Sequence, residues 1–205
     1  MKRWLLFACL IFSLTNLSAQ NVVEADGLGR DGKYEVGDYY NRNGREGVVF
    51  EVDATGLHGK IVSLKKSDEP LQSCTFEGYH SNLHGPIGET SESDGVFNVI
   101  HIQKLFKDWE KMFPAFAWCA SLGDGWYLPA KDELVKFMED DSVREKVEQT
   151  LKSRGEPLFY GGANQYWSST QYSKYQGVSW FYCEGGNFAV LHKYYALYVR
   201  AVAAF

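Results

Sequence analysis

The hydrophobic pattern changes character several times along this 205-residue chain. From Met1-Lys2-Arg3 it runs straight into an apolar stretch, Trp4 to Leu14, followed by polar and small residues up to Ala19. A basic start, a short apolar core and a small residue at the end form the pattern of a secretory signal peptide over 1–19. The apolar stretch falls short of the roughly 20 residues a membrane-spanning helix needs. Residues 20–33 are polar and Gly-rich and read as a flexible leader. Over 34–66, "YEVGDYY", "REGVVFEV" and "HGKIVSL" are alternating or β-branched runs separated by Asn43-Gly44 and Thr55-Gly56. That texture predicts a strand meander.

Residues 67–95 show no sustained periodicity and read as one long irregular loop, a candidate functional surface. Ile100, Ile102, Leu105, Phe106, Trp109 and Phe113 then recur at helical spacing. Pro114 opens a second short helix, "PAFAWCASL", that is apolar nearly all round and therefore buried. Gly123-Asp124-Gly125 stops it. In "WYLPAKDELVKFMED", Pro129 marks a helix start, Asp132 and Glu133 occupy its first turn, and Leu134, Phe137 and Met138 form its inner stripe. A further helix is expected from Ser142, with Glu145 completing a capping box, Val143, Val147 and Leu151 inward, and Gly155 at its end. The last fifty residues lose the helical period. They predict short strands around Tyr166–Ser168, Gly177–Cys183, Phe188–Leu191 and Tyr198–Val202, with "EGGN" at 184–187 as a hairpin turn. Strands, then helices, then strands without βαβ alternation give an α+β fold in one domain over 34–205, whose terminal strands meet in one sheet.

Charge narrows the partners. The net charge is −5, and removal of Lys2 and Arg3 with the signal peptide makes it −7. Nucleic acid and anionic lipid both demand a basic face, so neither is expected as a partner. No second stretch could cross a membrane, so no integral membrane segment is expected after signal cleavage. The protein is expected in the periplasm, at the cell surface or outside the cell.

The exported chain would keep three cysteines, Cys74, Cys119 and Cys183. An odd count leaves at least one thiol unpaired within the chain. One disulfide, first of all Cys119 with Cys183, and three buried thiols are the two alternatives. No C-x-x-C spacing indicates zinc, and the H-x-x-x-H pair His80 and His84 has no cysteine pair at zinc spacing beside it.

Four pieces in order, "GDGWYLPAKDEL", "YWSST", "VSWFYCEGGNF" and "LYVRAVAAF", resemble exported bacterial domains of the Lcl C-terminal kind, a family of unknown function. The resemblance covers residues 96–205, and the strands of 34–66 look like those that often precede it. It implies a C-type-lectin-like fold, related to that of the formylglycine-generating enzyme, with N-terminal strand meander, central helices and C-terminal antiparallel strands. It marks Trp126, Leu128, Pro129, Trp167, Ser168, Ser169, Thr170 and Arg200 as a fold signature. Many relatives carry a cysteine in the last strand that pairs with the helix before the Leu-Pro motif. Here that position is Ala201, which deprives Cys119 of its usual partner. The Glu-Pro-Asn and Trp-Asn-Asp triplets of calcium-dependent sugar binding are missing, so no calcium-held monosaccharide is expected.

The residues themselves offer little catalysis. "WSSTQ" lacks the glycines of a nucleophile elbow, and His192 has no marked acid, so the hydroxyls of Ser168, Ser169 and Thr170 read as backbone partners. The copper chemistry of the formylglycine-generating enzyme needs two late thiols, and only Cys183 is present. Glu89, Glu92 and Asp94 form an acidic loop without the EF-hand pattern, and His80 and His84 lie among Asn and Gly. No catalytic residue, metal or cofactor is therefore expected. Aromatics make up 16% of the chain, 13 of them Tyr, and Tyr suits flat amphipathic contact surfaces. Of the late cluster Tyr172, Tyr175, Tyr182, Tyr194 and Tyr195, the residues expected on display are Tyr172, Tyr175 and Tyr194, with Asn187 beside them. Trp180, Tyr182 and Tyr198 are expected in the core. Arg200, if buried, would need a carboxylate, for which Glu133 is the candidate. These observations predict a non-enzymatic module that binds a glycan or protein. The alternatives are an enzyme of formylglycine-generating or hydrolase type, marked by a pocket around Cys183 or His192, and a structural subunit of a surface assembly.

Overall fold

The computed structural model describes residues 32–75, 90–158, 165–172, 179–184 and 187–205, with the side chains of 179–188 excepted. The signal peptide, leader residues 20–31, most of the irregular loop (76–89), Tyr175 and the side chains of Trp180, Tyr182, Cys183 and Asn187 lie outside that set.

The N-terminal meander forms as the alternation predicts, as β1 (Tyr39–Arg42), β2 (Arg45–Val52) and β3 (Gly59–Lys66). Asn43 and Gly44 both adopt positive φ, 53° and 73°, the geometry that lets a two-residue hairpin follow the twist of its strands. The last strand, β9 (Arg200–Ala204), pairs antiparallel with β3, giving the sheet order β1-β2-β3-β9. The N- and C-terminal strands thus meet in one sheet.

Both faces of this sheet are buried, which explains the continuous apolar runs in β2 and β3. Val49, Ile61, Ala201 and Ala203 face one layer, with Ile102, Phe113, Phe116, Cys119, Trp126 and Trp167. Val48, Phe50, Val62 and Val202 face the other, with Leu134, Phe137, Val147, Leu151 and Tyr166. Alternate residues on one strand therefore serve two cores.

The first layer is built by α1 (Gly95–Leu105), α2 (Trp109–Met112) and α3 (Pro114–Ser121). The Asp94 carboxylate caps α1 by accepting from the Phe97 N–H at 2.9 Å. Its inner side differs from the expected stripe. Ile102 is buried beside Asn98 and Gly95, whereas Ile100 and Leu105 are exposed. The second layer holds α4 (Lys131–Met138) and α5 (Asp141–Ser153). The cap of α5 is Asp140, not Ser142. Its carboxylate faces the Val143 N–H at 3.4 Å and takes the Ser142 hydroxyl at 2.8 Å, so α5 starts two residues earlier than a Ser142 cap would set. Gly155, at φ 78°, ends it as expected.

The remaining strands make a separate antiparallel sheet, β5 (Gln165–Gln171), β6 (Ser179–Glu184) and β7 (Asn187–His192), in that order. Within the segment expected to be wholly irregular, β4 (Leu71–Gln72) pairs with β8 (Ala196–Leu197). The architecture is mixed α+β, with five helices among the described residues. No helix among them is long and apolar enough to cross a membrane.

Candidate functional site

Residues of two of the quoted motifs, "GDGWYLPAKDEL" and "YWSST", meet at the joint between the layers. At the start of α4, Ala130 has no side-chain acceptor, so one local and one distant side chain serve the free N–H groups there. The Glu133 carboxylate reaches back to the Ala130 N–H at 2.8 Å, and the Thr170 hydroxyl oxygen accepts from the Lys131 N–H at 2.9 Å. The Ser169 N–H donates to the Pro129 carbonyl at 2.7 Å, and its hydroxyl accepts from the Asn98 amide at 2.9 Å. Thr170 also donates to the Ser91 carbonyl. Trp126, Leu128, Pro129, Trp167, Ser168, Ser169 and Thr170 are all buried, and the Trp167 indole N–H donates to the Leu71 carbonyl at 2.9 Å. The serine-rich stretch is thus a clasp between β5, α1 and α4. The Ser169 and Thr170 hydroxyls face backbone and amide groups.

Two sequence expectations are corrected at this joint. Arg200, 1% exposed, does not pair with Glu133. Its guanidinium donates to the carbonyls of Ser63 (2.9 Å) and Leu64 on one side and of Pro157 (3.1 Å) and Glu156 (3.4 Å) on the other. A planar fork of donors can bridge two chain segments in this way, with carbonyl dipoles in place of a counter-ion. Glu133 instead takes Lys60, Tyr127 and two backbone N–H groups. The second correction concerns the expected Cys119–Cys183 disulfide. Cys119 is a free thiol buried in the first core. Burial pushes its pKa well up, the mark of an inert structural thiol.

The exposed aromatics gather elsewhere. In the β5-β6-β7 sheet, Gln171 pairs with Trp180, Trp180 with Leu191, and Ser179 with His192. That register brings Tyr172, Ser179 and the turn His192-Lys193-Tyr194-Tyr195 to one end of the sheet. With strands about 4.8 Å apart, the Tyr172 backbone and the turn lie roughly 10 Å from each other. Tyr172 is 53% exposed, Tyr195 49%, and Tyr194 is half-buried between its neighbours. The Tyr194 and Tyr195 rings stack at 4.9 Å with 28° between their planes, and the His192 ring lies 3.9 Å from that of Tyr194.

The turn is held rigidly from beneath by the strand-like segment 72–74. The Gln72 side chain donates to the Tyr194 carbonyl at 2.7 Å, and the Ser73 hydroxyl and Cys74 N–H donate to the Lys193 carbonyl at 2.9 and 3.0 Å. Lys193 is only 3% exposed, and burial lowers its pKa, opposed by the Cys74 thiol nearby. Burial, and then the Lys193 charge, also lower the pKa of His192, so its imidazole is neutral near pH 7. The surface is a fixed row of neutral π-faces. Stacking on a ring or an apolar side chain is what it can do chemically.

Of the displayed residues expected from sequence, Tyr172 and Tyr194 are at this end, and Tyr175 and the Asn187 side chain lie outside the described residues. Tyr195, a member of the late tyrosine cluster not expected on display, and His192 join them. Tyr198 is half-buried, with the Lys66 ammonium 3.7 Å above its ring. No group of three or more His, Cys, Asp or Glu residues among the described ones could hold a metal ion. Of the acidic loop, Asp94 is the α1 cap and Glu92 binds Lys131. His80, His84 and Glu89 lie outside the described residues.

No family model matches the chain, and no curated protein matches it. Among solved structures, it is similar to a fimbrial protein from Bacteroides ovatus, with a TM-score of 0.57 at 16% identity. The likeness covers 84% of this chain and 49% of that one, so the chain spans about half the length of its structural relative. At that identity the likeness is one of fold.

Proposed function

We propose that the protein is an exported, non-enzymatic binding module with a C-type-lectin-like domain of the Lcl C-terminal kind, and that it recognises a glycan or protein through the aromatic end of its β5-β6-β7 sheet. The observation that carries this reading is the His192-Tyr194-Tyr195 stack, with Tyr195 and Tyr172 about half exposed and the turn pinned by Gln72, Ser73 and Cys74. Rigid, exposed aromatic rings lose little entropy on contact and stack on sugar rings or peptide side chains alike. The clasp at 167–170 supports the family part of the reading, because its motif residues bind one another across three elements.

A glycan array and a pull-down from surface extracts test it. Binding that falls at least tenfold in Tyr172→Ala and in Tyr194→Ala/Tyr195→Ala, with unchanged thermal unfolding, is the expected result. Binding indifferent to all three substitutions would sink the site.

A second reading, a subunit of a surface assembly, draws on the fimbrial protein that shares the fold over 84% of this chain. Electron microscopy of the native cell surface with and without the gene product separates the two, since only an assembly subunit leaves a filament missing.

A further inference from the structure

The sequence holds one Asn-Gly pair, Asn43-Gly44, and the fold places it at the tip of the β1–β2 hairpin. Both residues are exposed. The strands close on them through the pairs Tyr40↔Gly47, Asn41↔Glu46 and Arg42↔Arg45, which leaves a loop of two residues. Behind the tip the hairpin is anchored. Tyr40 is buried, with its ring 5.2 Å from that of Tyr34 and 4.8 Å from that of Phe205, and the Arg45 guanidinium donates to the Ala204 carbonyl.

An asparagine followed by glycine is the pair in which the main chain most readily attacks a side-chain amide, because the glycine nitrogen has no Cβ beside it to hinder the approach. Turn geometry decides when that attack is possible here. Asn43 and Gly44 have φ of 53° and 73°, the signature of a type I′ turn. Such a turn holds ψ of its first central residue near about +30°. At that angle the Gly44 nitrogen lies on the side of the Cα–C bond away from Cβ, out of reach of the Asn43 side chain. Closing a five-membered ring needs that nitrogen eclipsed with Cβ, which is nearly a half-turn of ψ away. Such a rotation breaks the Arg42↔Arg45 pairing. The two φ values that fit the hairpin to its strands therefore also guard its amide.

We propose that Asn43 is a deamidation site gated by the fold: it is silent while the hairpin tip is paired and reacts when the tip opens. In the open tip the Gly44 nitrogen forms a bond to the Asn43 Cγ and gives up its proton. The Cγ–Nδ2 bond breaks, and the side-chain nitrogen leaves with that proton as ammonia. Water then opens the cyclic imide at one of its two carbonyls, giving aspartate or isoaspartate at position 43. The aspartate product restores the turn, since Asp-Gly is also a favoured type I′ pair. The isoaspartate product carries an extra methylene in the main chain, which a two-residue turn has no room for, so the tip stays open. The edge hairpin of the β1-β2-β3-β9 sheet thus ages irreversibly, at a rate set by its own opening. Local opening and closing are fast beside ring closure, so the native rate is the unfolded rate multiplied by the fraction of time the tip is open.

The test compares the purified chain with a peptide of residues 39–48 in the same mildly alkaline buffer. Mass spectrometry of proteolytic fragments follows the conversion of the Asn43 amide to an acid, and an isoaspartyl methyltransferase counts the isoaspartate. The expected result is conversion in the folded chain about tenfold to a thousandfold slower than in the peptide. Amide hydrogen exchange over 40–47 should be faster in the isoaspartate form, while Asn43→Asp should keep the exchange pattern of the unsubstituted chain. Equal rates in chain and peptide would show that the turn guards nothing. Conversion more than about a thousandfold slower would show that the tip does not open. An isoaspartate form with undiminished protection would show that the turn accommodates the extra methylene. Any one of these three results overturns the proposal.

Discussion

Replacing Glu133 by Ala should cost about 3–5 kcal/mol of stability, more than most substitutions of one side chain. The carboxylate is 4% exposed and divides its work between its two oxygens. Oε1 accepts from the Lys60 ammonium at 2.9 Å and the Tyr127 hydroxyl at 2.8 Å, while Oε2 accepts from the Ala130 N–H at 2.8 Å and the Gly95 N–H at 3.2 Å. Removing it strands three buried donors, at about 1–3 kcal/mol each before any water enters. Lys60 is 26% exposed and recovers solvent, so its share is discounted. The site cannot close around the loss, because a Cβ on Gly95 would already sit 2.6 Å from the Leu128 carbonyl and 2.8 Å from the carboxylate. Glu133→Gln should rescue little, since either orientation of the amide sets an NH2 group against two donors. Urea unfolding followed by tryptophan fluorescence reads the loss. With an m-value of about 2 kcal/mol/M, the midpoint should fall by roughly 2 M in the Ala variant. A loss under about 1 kcal/mol at unchanged m would refute the reasoning, and so would a Gln variant as stable as the parent.

Arg200→Lys should destabilise by about 2–4 kcal/mol despite keeping the charge, because one ammonium cannot span the carbonyls of Ser63, Leu64, Glu156 and Pro157; calorimetry of Arg200→Lys beside Arg200→Met measures it. With Cys119 free and Cys74 and Cys119 buried, dithiothreitol should leave the unfolding temperature unchanged, and a thiol reagent should label neither residue until the chain unfolds. Burial pushes the Cys74 pKa up to about 11 from 9.0, against a smaller lowering by the Lys193 charge. A group whose pKa rises on folding stabilises fully below its unfolded pKa and loses that contribution as pH climbs to the folded one. Stability should therefore fall by about 2–3 kcal/mol between pH 9 and 11 on account of Cys74, and Cys74→Ala should flatten that part of the pH profile in urea titrations.

Much of the scaffold was legible because local signals and burial agree there. Asn43-Gly44 can only be a tight hairpin turn, and the runs Val48-Val49-Phe50 and Ile61-Val62 are what a sheet covered on both faces requires. The stripes of α4 and α5 emerged at their residues for the same reason. The start of α5 was misread because Asp140, Asp141 and Ser142 are three competent caps in a row, and the one that wins is set by tertiary fit. In α1 the apolar period pointed to Ile100 and Leu105, but the inner side is occupied by Asn98, whose amide is held by Ser91 and Ser169. No periodicity encodes a buried asparagine. The partners of Arg200 were equally hidden, since every chain segment offers carbonyls and only the fold selects four of them. At the aromatic end, the sequence displays the tyrosines but not the segment 72–74 that fixes them, some 120 residues away.

The pairing of β3 with β9 also sets an order of events in time. Ser63 and Ala201, 138 residues apart, share a hydrogen bond, and Tyr127 closes on Val202. During synthesis β1, β2 and β3 emerge early, yet β3 keeps an open edge and both cores lack a wall until Arg200–Ala204 arrives. Contacts this distant in sequence make folding slow, because the loop between them must close before it is rewarded. Under the proposed export, that delay would keep the molecule pliable until Arg200–Ala204 reaches β3.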